Sequence, residues 1–205
     1  MKRALTIFSL LAAAVFFSPL PSFAQLRTLP DIQQYTFGER LDLAGIPNAA
    51  KVSERLYRGA QPHHQGIREL QKLGITTIVD LRQENKSKVA WEQKLSESLG
   101  MHFVNIPVSG WSPPTDEQVA QFLAIFREHP QEKVFVHCHF GDDRTGVFVA
   151  TYRIAFDKFP ASEAIKEMDQ FGFNRRWHPS MRAFVREFPG HLASSPALAE
   201  FKNNP

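Results

Sequence analysis

The residues best suited to chemistry stand together at positions 137–145, which read HCHFGDDRT. An apolar run at 134–136 predicts a short buried strand before them, and an apolar run at 146–156 predicts a helix after them. Loop N–H groups between a strand and a helix N-terminus converge on one point, and the helix dipole adds positive potential there. The pattern therefore predicts an anion site that the thiol of Cys138 faces.

This thiol needs activation, because a free cysteine has a pKa of about 8.5 and is mostly protonated at neutral pH. The loop N–H groups, the helix N-terminus and Arg144 all favour the thiolate, and lowering a pKa by about 3 units corresponds to about 4 kcal/mol. Arg144 can also grip two oxygens of a phosphate at once. Gly141 lets the loop curl around the phosphate, Thr145 can hydrogen-bond the sulfur, and His137 is expected to fix the loop backbone.

The stretch resembles the signature H-C-x-x-G-x-x-R-[ST] of the cysteine-dependent protein phosphatases at every fixed position. It is most similar to the atypical dual-specificity phosphatases and their bacterial relatives, more loosely over residues 57–188. The resemblance implies an α/β fold, in which helices flank a central, mostly parallel sheet and the phosphate-binding loop joins a strand to a helix. It also implies hydrolysis of phosphate monoesters through a cysteinyl-phosphate intermediate, with no metal and no cofactor.

The loop residues expected to bind the substrate are His139, Phe140, Gly141, Asp142 and Thr145. Asp142 and Asp143 stand where some relatives have lysines, and they would repel a highly charged ligand such as an inositol polyphosphate. We therefore expect a phosphorylated tyrosine, serine or threonine of a protein, or a small phosphomonoester. A phosphoinositide or inositol phosphate is the alternative substrate. Trp111, on the loop upstream, is expected either to stack on an aromatic substrate or to belong to the core.

Two shorter strings outside the loop also resemble this family. YRGAQP at 57–62 recurs early in these phosphatases, and its Arg58 is expected either to reach the substrate or to form a salt bridge on the surface. Asp80 and Arg82 end the predicted strand 75–81, at the sheet edge where α/β proteins bind ligands. They are candidate supporting residues for the site, and a structural ion pair is the alternative.

Departure of the substrate alcohol requires a proton donor, for which a carboxylic acid is well suited. Phosphatases of this kind carry an aspartate on a loop upstream of the cysteine, but the corresponding residues 106–112 contain no carboxylate. Asp116 is our first candidate, although it would also suit the first turn of a helix as a partner of the dipole. Asp143 is the second, because an aspartate before the arginine resembles lipid-phosphatase branches of the superfamily.

Three other functions fit parts of the same stretch. His137 and His139 with Asp142 and Asp143 could hold a metal, but no second ligand cluster of comparable spacing accompanies them. Sulfur transfer of the rhodanese kind uses a loop one residue shorter. A loop that binds phosphorylated ligands without turnover is the non-catalytic alternative, and such a binder does not need Cys138.

The chain has 205 residues, 43% of them hydrophobic, which is enough for one domain with a sizeable core. We expect this phosphatase domain at 51–190, an extended N-terminal segment at 25–50 and a loose C-terminal tail at 191–205. Residues 1–24 combine Lys2 and Arg3, an apolar stretch and small residues at Ser22 and Ala24, which predicts a secretory signal peptide cleaved after Ala24.

We therefore expect export to a periplasm or the medium. The apolar stretch is short for a membrane span, so no stable membrane anchor is expected. Cleavage would remove Lys2 and Arg3 and lower the formal net charge from +3 to +1. A charge so near zero gives no argument for nucleic acid as a partner. A single cysteine cannot form an internal disulfide, and a free thiol in an oxidising compartment favours a working nucleophile. We expect a monomer.

Overall fold

The computed structural model describes residues 35–202, so the expected signal peptide and residues 25–34 lie outside the described residues. Six strands form one sheet, which in chain order are β1 (Glu39–Arg40), β2 (Ala50–Lys51), β3 (Leu56–Gly59), β4 (Thr77–Arg82), β5 (His102–Val108) and β6 (Val134–His137). Across the sheet they lie in the order β1-β2-β3-β6-β4-β5. Strands β3, β6, β4 and β5 are parallel, and β1 and β2 pair antiparallel at one edge. The mostly parallel sheet is thus confirmed.

Helices cover both faces of this sheet. They are α1 (His64–Lys72), α2 (Lys86–Ser98), α3 (Asp116–Glu128), α4 (Asp143–Ala155), α5 (Ala161–Gln170), α6 (Pro179–Ser194) and a 3-10 helix (Pro196–Phe201). Apolar residues of α1 and α2 pack on one face, and those of α3 to α6 pack on the other. The flanking helices that the sequence implied are therefore confirmed on both sides.

Alternation along the two central strands decides which side chains face which helices. In β4, Val79 and Leu81 point into the larger core beneath α3 to α6, whereas Ile78 points towards α1 and α2. In β6, Val136 likewise points into the larger core, and Phe135 points towards α1 and α2. Asp80 comes two positions after Ile78, and His137 comes two positions after Phe135. Both polar side chains must therefore lie on the α2 side.

Helix α4 passes through the middle of the larger core, and its residues from Arg144 to Ala155 are buried. It begins at Asp143, three residues before the expected start at Gly146, because the side chain of Asp142 accepts a hydrogen bond from the N–H of Asp143 and its carbonyl accepts one from Gly146. The early start places Arg144 and Thr145 in the first turn of the helix, above the end of β6.

Both expected boundaries of the domain are wrong. Residues 35–50 are part of it: β1 and β2 extend the sheet, and Ile46 and Ala49 are buried in the smaller core. The expected loose tail is packed up to Phe201, since α6 continues to Ser194 and the 3-10 helix buries Leu198 and Phe201 against α3 and α6. These two side chains lie in a short stretch without a longer apolar period, so their burial does not stand out in the sequence.

Among the described residues 35–202, no helix combines the length and the apolar character needed to cross a bilayer.

Candidate active site

The loop between β6 and α4 lies at the carboxyl end of the parallel strands, where it forms the floor of a cavity of about 710 Å³. We call this the main cavity and define it by Cys138, Asp143 and Arg144, which line it together with His139, Phe140 and Asp142. Its volume falls in the range of sites that bind small ligands. The structure therefore brings together most of the loop residues that the sequence selected.

Gly141 is the turning point of this loop, with φ of 75°. A Cβ atom at this position would lie 2.3 Å from the carbonyl carbon of Gly59 and 2.4 Å from the nitrogen of Ala60, so no other residue fits. Its carbonyl accepts hydrogen bonds from Asn48 Nδ2 at 3.1 Å and Arg58 Nη2 at 2.7 Å. The loop is therefore fixed against β3 and the segment before it.

Arg58 lies behind the loop, fully buried, so neither expectation for it was right: it reaches neither the substrate nor the surface. Its guanidinium stacks over the ring of Phe171, 4.2 Å from the centroid. Burial lowers the pKa of Arg58 to about 10, so the side chain is still a cation at neutral pH. A positive charge bonded to Gly141 behind the loop adds to the potential that favours an anion in front of it.

Cys138 follows the last residue of β6, is buried and lines the main cavity. Helix α4 begins shortly after it, at Asp143, so the N-terminus of a helix follows the cysteine as the sequence predicted. The hydroxyl of Thr145 is also buried, but it has no hydrogen-bond partner within the described residues, so the expected bond to the sulfur is not formed here.

Arg144 is held by a carboxylate that the sequence reasoning missed. Its Nη1 and Nη2 atoms each donate to Glu84 at 2.8 Å, and Nη1 also donates to the carbonyl of Val108 at 3.3 Å. The guanidinium bonds of Arg144 lower the pKa of Glu84 to about 2. Because a guanidinium has five N–H donors, the Nε edge can still bind two phosphate oxygens while Glu84 holds the other edge. Glu84 follows β4 closely, so the sheet-edge argument applied to Arg82 could have included it.

His137 is fixed by a buried polar network on the α2 side of the sheet. Its Nδ1 donates to the carbonyl of Cys138 at 3.0 Å, and its Nε2 lies 2.8 Å from Oε1 of Glu92. Burial opposes the charged imidazolium, but Glu92 and Asp80 outweigh it and raise the pKa of His137. The imidazolium is therefore hydrogen-bonded to the backbone of Cys138 through Nδ1 and forms an ion pair with Glu92 at Nε2, which places His137 against the loop backbone that the sequence predicted it to fix.

Asp80 and Arg82 belong to the same network as a structural ion pair. Arg82 donates to Asp80 at 2.9 Å and 2.7 Å, and to Glu92 at 2.8 Å. Among the described residues, Asp80, Glu92 and His137 form the one group with the spacing of metal ligands. Arg82 already supplies a cation to both of its carboxylates, however. The alternative metal set of the sequence is not assembled, because His137 faces α2 whereas His139 is exposed.

Asp143 lies in the main cavity and is held at both carboxylate oxygens. Its Oδ1 accepts a hydrogen bond from the N–H of Asn174 at 2.7 Å, and its Oδ2 lies 3.2 Å from Nε2 of His178. Burial, the largest influence, and the neighbouring Asp142 raise the pKa of Asp143, against the opposing effects of Asn174, His178 and Arg144. A carboxyl group that keeps its proton more readily and borders the site fits the role of proton donor.

Asp116, the first candidate for the proton donor, does not line the main cavity. Its Oδ1 lies 2.9 Å from Nδ1 of His191, and it borders a separate depression beside α6. The physical reason is local: Thr115 caps α3 through a capping box, which ends the upstream loop and turns Asp116 towards α6. The structure separates Asp116 from Cys138 and leaves Asp143 as the candidate.

Exposed aromatic side chains stand around the mouth of the main cavity. Trp111 and Trp177 are 67% and 65% exposed, and their rings stack with centroids 6.1 Å apart and planes 19° apart. Phe140, on the phosphate-binding loop, is also 67% exposed. Trp111 therefore does not belong to the core, and its pairing with Trp177 was not visible in the sequence because the two residues are 66 positions apart in the chain.

Comparison with known proteins agrees with this geometry. The family model described as "DSP-PTPase phosphatase fused to NAD+ Kinase" matches residues 30–184. TpbA of Pseudomonas aeruginosa, a dual specificity protein phosphatase, is 32% identical over 133 residues, which cover 62% of this chain and 55% of TpbA. Dual specificity protein phosphatase 26 of Rattus norvegicus is 28% identical over 165 residues, covering 74% of this chain and 75% of its own.

Solved structures share the fold. The crystal structure of TpbA superposes with a TM-score of 0.64 at 23% identity, over 82% of this chain and 97% of that one. A TpbA variant in complex with phosphotyrosine gives the same TM-score. The catalytic domain of the PP-IP phosphatase Siw14 of S. cerevisiae gives 0.60 at 18% identity, over 77% of this chain and 98% of that one.

Proposed function

This chain belongs to the dual-specificity type of cysteine-dependent phosphatases, and we propose that its substrate is a protein that carries phosphotyrosine. The observation that carries the proposal is the stacked pair of Trp111 and Trp177, which line the main cavity together with a loop that can bind one phosphoryl group. An aromatic ring between the phosphate and the peptide backbone can contact these indoles, whereas the short side chains of phosphoserine and phosphothreonine bring no ring to them.

The charges of the cavity also support a substrate with a single phosphoryl group. Glu84, Asp142 and Asp143 line it, and Glu84 already pairs with Arg144. An inositol phosphate, the class to which the name of the PP-IP phosphatase Siw14 points, would bring several further negative charges towards these carboxylates. Relatives named for dual specificity and the TpbA complex with phosphotyrosine support the same substrate class.

The reaction proceeds in two steps on these residues. The Cys138 thiolate attacks phosphorus, an S–P bond forms as the P–O bond to tyrosine breaks, and the loop N–H groups with Arg144 stabilise the equatorial oxygens. Asp143 gives its proton to the departing phenolate oxygen. Water then attacks phosphorus, the S–P bond breaks, and Asp143 takes the proton of the attacking water, which restores the starting state.

A substrate panel tests the proposal. We expect kcat/KM for a phosphotyrosine peptide to exceed that for the matched phosphoserine peptide by about 2- to 12-fold, since aromatic pairs contribute roughly 0.5–1.5 kcal/mol beyond the area they bury. Inositol hexakisphosphate should be a poor substrate. Replacing Trp111 and Trp177 with alanine should reduce the tyrosine preference. Equal turnover of both peptides, or faster turnover of the inositol phosphate, would contradict the proposal.

We also propose that residues 1–24 direct export and that the exported chain is a monomer without a membrane anchor. The charged start, apolar stretch and small residues before Gln25 support export, and the shortness of the apolar stretch supports the absence of an anchor. A reporter enzyme that is active only outside the cytoplasm should be active when fused after residue 24. It should lose activity when residues 1–24 are deleted. Light scattering of the soluble product should give the mass of one chain, and a dimer mass or a membrane-bound product would contradict the proposal.

A further inference from the structure

The large apolar side chains that are exposed in the described part of the chain all stand in one region. Trp111, Phe140 and Trp177 line the main cavity, and Trp91, which is 40% exposed, lines an adjoining cavity of about 480 Å³ with Phe140. We call the second one the flanking cavity. Exposed apolar groups gathered in one place, rather than scattered singly, mark a binding surface.

The flanking cavity adjoins the main cavity and shares part of its lining. Gln61, Lys88, His139 and Phe140 line both, so that Phe140 forms a shared wall. Most of its remaining lining is apolar and comes from Pro47, Ala60, Pro62 and Trp91. No carboxylate lines it among the described residues, in contrast to the main cavity.

The walls of the flanking cavity are built from fixed backbone. The N–H of Ala60 donates to the carbonyl of Pro47 at 2.8 Å, and the N–H of Gln61 donates to the carbonyl of His139 at 3.2 Å. The latter bond ties the flanking cavity to the phosphate-binding loop. Trp91 projects from α2, a regular helix of 13 residues. A pocket with preformed walls binds a side chain without first ordering the protein.

We propose that the flanking cavity binds a large apolar side chain of the peptide close to the phosphorylated residue, and so selects among phosphotyrosine sequences. The inference rests on the proposed function, since it takes the peptide to be anchored by its phosphoryl group at Cys138. In an extended peptide, side chains two positions apart point to the same face. A residue two positions from the phosphotyrosine therefore reaches towards the cavity beside it. A leucine or phenylalanine side chain is small enough for the flanking cavity and matches its apolar lining.

A peptide is the occupant that the geometry favours over a lipid surface. Both cavities are concave and share a wall, as expected for successive side chains of one chain. A planar bilayer would contact the rims of the aromatic side chains and leave both cavities empty. Lys88 lies between the cavities, on the path that a peptide with an anionic phosphoryl group would follow.

Peptide binding to the Cys138→Ser chain tests the inference independently of turnover. The probes are fluorescent peptides with one phosphotyrosine in a glycine-serine background, with leucine or alanine at each of the two positions on either side. At one position leucine should lower Kd by about tenfold, because burying its side chain removes apolar surface from water. The ratio of the Kd of the alanine peptide to that of the leucine peptide should fall to near one when Trp91→Ala is added. It should persist with Trp91→Phe and with Gln93→Ala, a change on an exposed residue of α2 that lines neither cavity.

Two results would overturn the inference: leucine and alanine peptides that bind alike at all four positions, or a leucine preference that survives Trp91→Ala. Binding to vesicles of phosphatidylethanolamine and phosphatidylglycerol gives a third result that would overturn it. If Trp91→Ala weakens vesicle binding but leaves the peptide ratio unchanged, the patch contacts lipid instead. Hydrolysis of p-nitrophenyl phosphate by the wild-type chain, measured in parallel, reports on the proposed function separately, because that substrate has no flanking residue.

Discussion

Replacement of Gly141 by alanine should damage both the stability and the activity of this protein. The added Cβ would lie 2.3–2.4 Å from backbone atoms of Gly59 and Ala60, and backbone cannot move aside as a flexible side chain can. The left-handed torsion costs an alanine roughly 1–2 kcal/mol, and overpacking typically adds about 1–3 kcal/mol. The free energy of unfolding should therefore fall by about 2–5 kcal/mol.

Gly100→Ala is the matched control, because Gly100 has φ of 80° but open space within 4 Å of the position of a Cβ. It should show the torsional cost alone, about 1–2 kcal/mol. Urea unfolding followed by tryptophan fluorescence measures both changes. With a slope of about 2 kcal/mol per molar urea, the midpoint should fall by about 1–2.5 M for Gly141→Ala and by about 0.5–1 M for the control.

Activity provides the second measurement on the same two variants. A displacement of the loop by about 1 Å should lower kcat/KM for p-nitrophenyl phosphate about 100-fold in Gly141→Ala, and Gly100→Ala should retain the wild-type value. The reasoning would be refuted if Gly141→Ala lost no more stability than Gly100→Ala and kept its kcat/KM. Such a result would mean that the phosphate-binding loop does not depend on its close approach to β3.

Three further predictions test separate parts of the site. Asp143→Asn should lower kcat by about 10²–10⁴-fold for phosphotyrosine and much less for an ester with a better leaving group; Asp116→Asn should stay near the wild-type rate, and the reverse order would restore Asp116 as the proton donor. Arg144→Lys should lower kcat/KM by at least about tenfold, because a lysine cannot bind two phosphate oxygens in one plane; equal values would exclude that role. His137 has a raised pKa in the folded chain, so its contribution is fully present below about pH 6.5 and is lost as the pH rises through the folded value. The stability difference between the wild type and His137→Gln in urea should therefore shrink from pH 6 to pH 9, and a difference that grows with pH would contradict this sign.

The sequence predicted most of the fold because its signals are local. The β-branched run that forms β4, the apolar run before Cys138 and the capping residue Thr115 each specify an element through neighbouring residues. The packed C-terminus was missed for the opposite reason. Leu198 and Phe201 are stabilised by distant partners, and the short stretch around them has no apolar period that indicates burial.

The same distinction between local signals and distant contacts applies to the candidate site. Cys138, Gly141 and Arg144 could be selected because their spacing within one loop is itself the signal. Their partners carry weaker signals. Glu84 reaches Arg144 from beyond the end of another strand, so only the sheet-edge argument points to it. A glutamate on a helix is ordinarily solvated, so Glu92 gave no sign of its contact with His137.

Arg58 and His178 show the limit of reasoning from residue type. An arginine before a glycine and a histidine at a helix start both suggest exposed positions. The tertiary structure buries the first behind Gly141 and places the second 3.2 Å from Asp143. Such pairs depend on which strands are neighbours, and the parallel order β3-β6-β4 is not specified by any one segment.

The central claim is that Cys138 carries the phosphoryl group during turnover. The most direct measurement is mass spectrometry of the chain quenched in acid during hydrolysis of a phosphotyrosine peptide, with Asp143→Asn and Cys138→Ser as companions. We expect a phosphate adduct on the peptide fragment that contains Cys138 in the wild type and in Asp143→Asn, and neither adduct nor turnover in Cys138→Ser. Turnover by Cys138→Ser at the wild-type rate, or an adduct on another residue, would contradict the account.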